Sequence, residues 1–346
     1  MAVTVRDNTK NGDMWNEWAT LLDGVIYDSD AQQNKYDDLV KALANVSKSD
    51  RWGEKSTTIG GLGDYDVKDE GSDASEDTFI EGYAKFIQHL SFAKSFVISE
   101  EMRDDNQLEE AKSKAINLVQ SYKRTRAKFL SQMLTSSVGS TTTMTFGGKS
   151  GIDISGADEL ALFSSQHPLA NSYSSGTTHN TQSNLFSNAL GTNTTMLNRL
   201  ANIMRNFKDD RGEVLGFTAD TIIIPGNQPA LEDTVKKIIG SDGEVGTNYN
   251  DINTQRGQWK LVVDYLWTPT VTGTDPTPYI IMSSEANKEL LATRFYDRKN
   301  LDVVNQVKPE SRNLIYNGFA RFSAGFTNWR HVIMGGSTNA SATTLS

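Results

Sequence analysis

Residues 79 to 134 constrain this chain most, because they pair a long extended arm with one long helix. The arm is FIEGYAKFIQHLSFAKSFVIS and the helix is roughly LEEAKSKAINLVQSYKRTRAKFLSQML. In the arm, Ile80, Gly82, Ala84, Phe86, Leu90, Phe92, Phe96 and Ile98 share one face at period two. Phe79, Tyr83, Phe86 and Leu90 also fit a helical period, so 79–90 is open between strand and helix. Gly82 and the β-favouring SFVIS end weigh toward strand. Ser99 is placed to cap a short helix that breaks near Asp104–Asn106. The long helix then carries Leu108, Ala111, Ala115, Leu118, Tyr122, Phe129 and Met133 on one stripe. At 1.5 Å per residue it runs about 42 Å. An arm and a helix of this kind suit a subunit that lies on its neighbours.

A polar excursion precedes the arm. Residues 56–78 read STTIGGLGDYDVKDEGSDASEDT. Gly60, Gly61 and Gly63, with Gly82 in the returning arm, loosen the backbone and are candidate hinges. Asp64, Asp66, Asp69, Glu70, Asp73, Glu76 and Asp77 against Lys68 alone give the tip a charge of −6. Such a tip cannot be buried unpaired, so it faces either water or a basic surface. A matching cluster sits on the long helix, where Lys123, Arg124, Arg126 and Lys128 place four positive charges within six residues. It is either a solvated helix face or a surface for a neighbour's acidic tip or for nucleic acid.

No chemistry elsewhere competes for the function. The chain has no cysteine, which excludes disulfides, thiolate metal sites and cysteine nucleophiles. Net charge is −9, against a protein that binds nucleic acid over its whole surface. GGKS at 147–150 resembles the end of a phosphate loop, but Thr143 stands where the pattern needs glycine, so a β-turn is expected. Lys68 spoils a calcium loop at Asp64 and Asp66. His89, His167, His179 and His331 form no close pair, and GxSxG is absent. Catalytic, cofactor and metal residues are therefore expected to be none. The N-terminus lacks a signal-like apolar core, and no apolar run approaches a membrane span.

The remaining elements follow from local signals. A helix near 34–46 fits the 3.6-residue period within an otherwise arm-like 1–52. Residues 135–158 read as loop and hairpin, and a helix near 194–208 carries Leu197, Leu200, Met204 and Phe207. A buried strand at 221–224 stops at Pro225, and Pro229 opens a helix that ends near Gly240. Strands are expected near 259–266, 279–283, 300–307, 313–325 and 329–334, then a loose tail over 336–346. The fold class is α+β.

The serial order of these pieces resembles the major capsid proteins of tailed bacteriophages, which share the Hong Kong 97 capsid fold. FVISEEM before the long helix, LFSSQHPL, DTIIIPGNQPALEDTVKKI and the terminal GFARFSAGFTNWRHVIM carry the likeness over about 50–335. LFSSQHPL and the strand–helix unit are also similar to Mu-like head subunits. The resemblance implies an N-terminal arm over 1–52, an extended E-loop hairpin over 53–92 and a flexible tail over 336–346. It implies a peripheral domain from 93–159 and 286–335, with a spine helix over about 107–135, and an axial domain over 160–285. It further implies self-assembly as hexamers and pentamers into an icosahedral virion shell around double-stranded DNA, built in the host cytoplasm. Partners would be the chain itself, the DNA by non-specific contact, and a separate scaffold, portal and decoration proteins. With about 50 residues before the excursion, no fused scaffolding domain is expected. Two other readings stand beside this one: an encapsulin-like compartment shell, and a soluble hydrolase or binding protein using the 147–184 loops.

Overall fold

The computed structural model describes residues 4–6, 15–59, 65–74, 76, 81–169, 181–210, 212–243, 252–272 and 275–345. Two compact units form, each from several segments. The first comprises 1–54, 87–130 and 295–324, and the second 55–86, 131–294 and 325–346.

In chain order, strand β1 (Thr4–Arg6) is followed by helices α1 (Asn16–Ala31) and α2 (Lys35–Leu43) and strand β2 (Asn45–Lys48). The excursion is framed by β3 (Gly53–Ile59) and β4 (Glu81–Gln88), which pair as a two-stranded ribbon. Next come β5 (Leu90–Ile98), α3 (Glu100–Asp104) and α4 (Leu108–Ser136). The 29 residues of α4 make the long helix expected from its stripe. Ser99 caps α3 by accepting from the Met102 N–H at 3.3 Å. Asn106, at φ 52°, breaks the chain before α4.

In the first unit, β5 pairs antiparallel with β12 (Leu314–Phe326) over nine residues, Leu314 opposite Ile98 through Phe322 opposite Leu90. β12 lies beside β11 (Thr293–Val307), which β1 joins in parallel. Trp15, Ala19, Leu22 and Ile26 of α1 pack with Ala111, Ala115, Leu118 and Val119 of α4 against Ile98, Leu301, Val303, Leu314 and Tyr316. Each fully buried Leu or Ile of this kind contributes about 1.5–3 kcal/mol. This corrects the expectation of an arm, because the Trp15, Ala19, Leu22 and Ile26 face of α1 is part of the core. Asn34 caps α2, its Oδ1 accepting from the N–H groups of Tyr36 at 3.0 Å and Asp37 at 3.2 Å. Asn34→Ala is expected to lower subunit stability by about 1 kcal/mol, read as a shift in the urea midpoint.

The second unit begins after the ribbon with the hairpin β6 (Thr143–Phe146) and β7 (Lys149–Asp153). Its two-residue turn has Gly147 at φ 58° and Gly148 at φ 85°. Positive φ at both positions is what a tight type I′ hairpin demands, so GGKS is a turn. Helix α5 (Thr195–Arg205) buries Leu197, Leu200 and Met204, as its spacing predicts. A four-stranded sheet then runs in the order β13 (Val332–Gly335), β10 (Tyr279–Met282), β8 (Thr221–Pro225), β9 (Lys260–Asp264). β8 and β9 are parallel, joined through α6 (Pro229–Gly240), and β10 is antiparallel to both β8 and β13. Every residue of β8, β10 and β13 is buried, which explains their unbroken apolar runs. A short helix, α7 (Ser284–Glu289), follows β10. The last residues are not a loose tail. The Thr343 N–H donates to the Leu185 carbonyl at 3.0 Å, and the Leu345 N–H to Asn188 Oδ1 at 2.7 Å.

Candidate assembly interface

The ribbon is held at its base by buried polar contacts. Lys85 is buried on β4, and its ammonium donates to Asp153 Oδ2 at 2.5 Å and to Ser155 Oγ at 2.7 Å. Burial alone would raise the Asp153 carboxyl, but hydrogen bonds from Lys85 and Ser155 outweigh it and hold the group below its ordinary value. Just past β4, His89 fills a second polar position. Its Nε2 lies 2.9 Å from Ser49 Oγ and its Nδ1 2.8 Å from Ser323 Oγ, while the Ser49 hydroxyl donates to Glu54 at 2.7 Å. Because Ser49 gives its proton to Glu54, it accepts from Nε2–H, so Nδ1 accepts from Ser323. Burial keeps this imidazole below its ordinary range, with Glu54 opposing and Arg321 and Arg298 assisting.

His89 also marks a change of face that the sequence did not disclose. On β4 the buried residues are Lys85 and Ile87, followed by His89 itself, whereas on β5 Leu90, Phe92, Phe96 and Ile98 turn inward. The single period-two face expected across 79–98 therefore breaks at His89, and Phe86 is 45% exposed. Between β4 and β5 the inward positions shift from odd to even numbers, and a one-residue shift of this kind turns the whole side-chain set to the other face. Gly82 lies inside β4, where an added Cβ would come within 2.9 Å of the Thr58 carbonyl. Close approach to β3 thus accounts for glycine at 82 without a hinge. Gly60, Gly61, Gly63, Asp64 and Asp77 lie outside the described residues. Of the tip, Asp66, Lys68, Asp69, Glu70, Asp73 and Glu76 are all exposed, together with Tyr65 and Val67.

The basic cluster divides in two. Arg124 and Lys128 are exposed on α4, but Lys123 and Arg126 are buried. Lys123 Nζ donates to the carbonyls of Asp30 at 2.9 Å and Gln32 at 2.5 Å, closing the C-terminal end of α1, and lies 3.3 Å from Asp37. Cations are favoured there by the helix dipole. Arg126 pairs with Asp297 at 2.7 Å and Asp37 at 3.6 Å. These two are structural ions of their own chain, which corrects the expectation of a four-residue surface facing DNA or a neighbour. The helical wheel carried the signal. At 100° per residue, 123 and 126 fall on the side of Val119 and Leu130, and 124 and 128 on the opposite side.

Among the described residues of the 147–184 loops, His167 is the buried histidine and it serves packing. His167 is fully buried, its Nδ1 2.6 Å from Asp158 Oδ2, and its ring stacks on Trp329 at 4.3 Å. Its Nε2 faces the Asn184 amide oxygen at 3.2 Å, not a hydroxyl, so the pair activates no nucleophile. His179 lies outside the described residues. Among the described residues no cluster of His, Asp or Glu could hold a metal ion, and no helix is long and apolar enough to cross a membrane.

Together, the α4 helix, the β3–β4 ribbon and the mixed four-stranded sheet define an α+β subunit of the Hong Kong 97 capsid type. Solved capsids share this fold at low sequence identity. Over 99% of this chain and 95% of the other, the Mycobacterium phage Patience structure aligns with a TM-score of 0.53 at 11% identity. The capsid of a native GTA particle aligns over 88% and 91%, with a TM-score of 0.51 at 10% identity. No curated protein matches the sequence. Residues 82–334 match the phage capsid protein model, and the chain belongs to that family. It is the major capsid protein of a tailed phage and a component of the virion.

Proposed function

We propose that this subunit assembles with copies of itself as hexamers and pentamers into an icosahedral shell that encloses double-stranded DNA. Its role is mechanical, not catalytic. In this reading the β3–β4 ribbon and its tip are the E-loop, α4 is the spine of the peripheral domain, and the β13–β10–β8–β9 sheet belongs to the axial domain. The tip touches a neighbouring copy, and the DNA is met by non-specific contact. A separate scaffold, a portal and decoration proteins are further partners, and assembly takes place in the host cytoplasm.

The observation that carries the reading is the family match together with an acidic tip, Tyr65 to Glu76, whose described residues are all exposed. Solvated carboxylates at the end of a ribbon gain nothing for the isolated subunit. Opposite a neighbour's cations they steer and register assembly. Many modest contacts acting at once then hold the shell.

Negative-stain microscopy of the purified protein tests this directly: rings or closed shells are expected, and monomers persisting under every assembly condition would sink it. A second test uses charge. Asp69, Glu70 and Asp73 changed together to lysine should leave the melting transition in place yet cut shell yield about tenfold, the sum of several weak exposed pairs. Wild-type yield from that triple variant would refute the contact of the tip with a basic surface.

A further inference from the structure

We infer that His89 works as a proton-sensitive latch at the root of the β3–β4 ribbon, holding both strands while neutral and releasing them once protonated. β3 starts at Gly53, and β4 ends at Gln88, one residue before His89. The His89 N–H donates to the Trp52 carbonyl at 3.4 Å, so the two roots meet here. Ser49, Glu54, His89 and Ser323 all belong to the first unit.

The four side chains form one directed chain of hydrogen bonds. The Ser323 hydroxyl of β12 donates to His89 Nδ1 at 2.8 Å, Nε2–H donates to Ser49 Oγ at 2.9 Å, and the Ser49 hydroxyl donates to Glu54 at 2.7 Å. Every donor points toward the Glu54 carboxylate, which only accepts, so the direction is fixed. The outgoing strand at Glu54 and the returning strand at His89 are thereby tied to β12.

One added proton reverses the first link. With Nδ1 protonated, two donors face each other across 2.8 Å. Ser323 must then turn its hydroxyl away, yet it is 2% exposed and has no other side-chain hydrogen bond among the described residues. A buried hydroxyl left without an acceptor is destabilising. The charged groups around the ring are Glu54 of β3, Arg321 of β12 and Arg298 of β11, the last also 3.5 Å from the exposed Asp50. Burial opposes a charge on this ring most, ahead of the attraction of Glu54, and Arg321 and Arg298 add to the opposition. Tyr296, edge-on at 6.1 Å, brings no charge.

Once the root opens, the imidazole meets water and takes a proton near pH 6.5. Opening is therefore favoured as pH falls, by up to about tenfold per pH unit. The β5–β12 ladder beyond His89, nine residue pairs long, contains no histidine and stays closed while the root loosens.

Amide hydrogen exchange on the unassembled full chain tests the latch, with rates corrected for their intrinsic pH dependence. Between pH 7.5 and 5.5, protection over 52–55 and 87–89 should fall about tenfold, while that of 314–322 changes far less. His89→Gln keeps a donor for Ser49 and an acceptor for Ser323 but cannot titrate, so its root should hold the same protection at both pH values. Ser323→Ala removes the stranded hydroxyl and should shrink the acid response, a change of pH profile that lost packing alone would not produce. An unchanged root in the parent, or equal acid loss in the parent and His89→Gln, overturns the proposal. Should His89→Gln fail to fold, imidazole NMR of the parent decides. The His89 ring should stay neutral at pH 6, and a ring half-protonated at pH 6.5 with the root still protected overturns the proposal. Subunits are measured before any shell forms, so failure here leaves the self-assembly reading standing.

Discussion

Replacing Arg126 with methionine is expected to destabilise the subunit by about 3–5 kcal/mol, although it puts an apolar side chain in place of a charge on a largely apolar helix face. The reason is what the substitution leaves behind. Asp297 is 5% exposed, and its Oδ2 takes a 2.7 Å hydrogen bond from Arg126. Burial already pushes that carboxyl above its ordinary value, and the guanidinium beside it is the main opposing influence. Without Arg126, the carboxylate must either stay charged in a site with no partner of comparable strength or take up a proton. Asp37, shared with Lys123, loses its second cation as well. The ring faces of Tyr122 and Phe295, 5.6 and 5.0 Å from the guanidinium, lose a cation–π contact. Chemical denaturation of the subunit measures the loss. A companion Asp297→Asn change should recover a good part of it, because the amide removes the orphaned charge. If Arg126→Met costs less than about 1 kcal/mol, the ion network is not what ties α2, α4 and β11 together.

That network separates what was legible in the chain from what was not. α4 could be read from its stripe, and the strand–Pro225–Pro229–helix unit from proline geometry, because one local rule decides each. The GGKS turn followed from two adjacent glycines in the same way. The fate of Lys123 and Arg126 did not follow, since their burial depends on Asp37 and Asp297, far away in sequence. A run of four cations looks like a surface until those partners are known. α1 shows the same limit: Trp15, Leu22 and Ile26 look like scattered apolar residues in a polar arm until α4 and β12 meet them. The change of face at His89 falls where β4 of the ribbon gives way to β5 of the larger sheet, and no local pattern announces it. The acidic tip was visible at once from composition, because exposure needs no partner.

Acid should weaken the second unit through a residue that no motif singled out. His331 is fully buried, with Nε2 2.7 Å from Thr293 Oγ1 and its carbonyl accepting from the Ser283 N–H at 2.9 Å. Burial holds its imidazole down to about 3, against a small opposing effect from the Asn328 backbone. In the unfolded chain the same ring takes a proton below about pH 6.5. Between those values the unfolded state binds one more proton than the folded state, so stability falls as pH falls and is unaffected above neutrality. The slope climbs to about 1.4 kcal/mol per pH unit as the unfolded ring fills, which gives about 1.6 kcal/mol lost between pH 6.5 and 5. Asp153, held below its ordinary value, stays charged over that window, so the Lys85 tether of the ribbon does not contribute to the loss. His331→Gln removes the titrating group while keeping a polar partner for Thr293. Its denaturant midpoint should start lower at pH 7 and then change less on acidification than that of the parent chain. Equal acid slopes in the two proteins would move the cause elsewhere. A steeper slope in the parent would assign the difference between the two proteins to His331 beside β13, while His89, also held below its ordinary range, loses stability in the same direction in both.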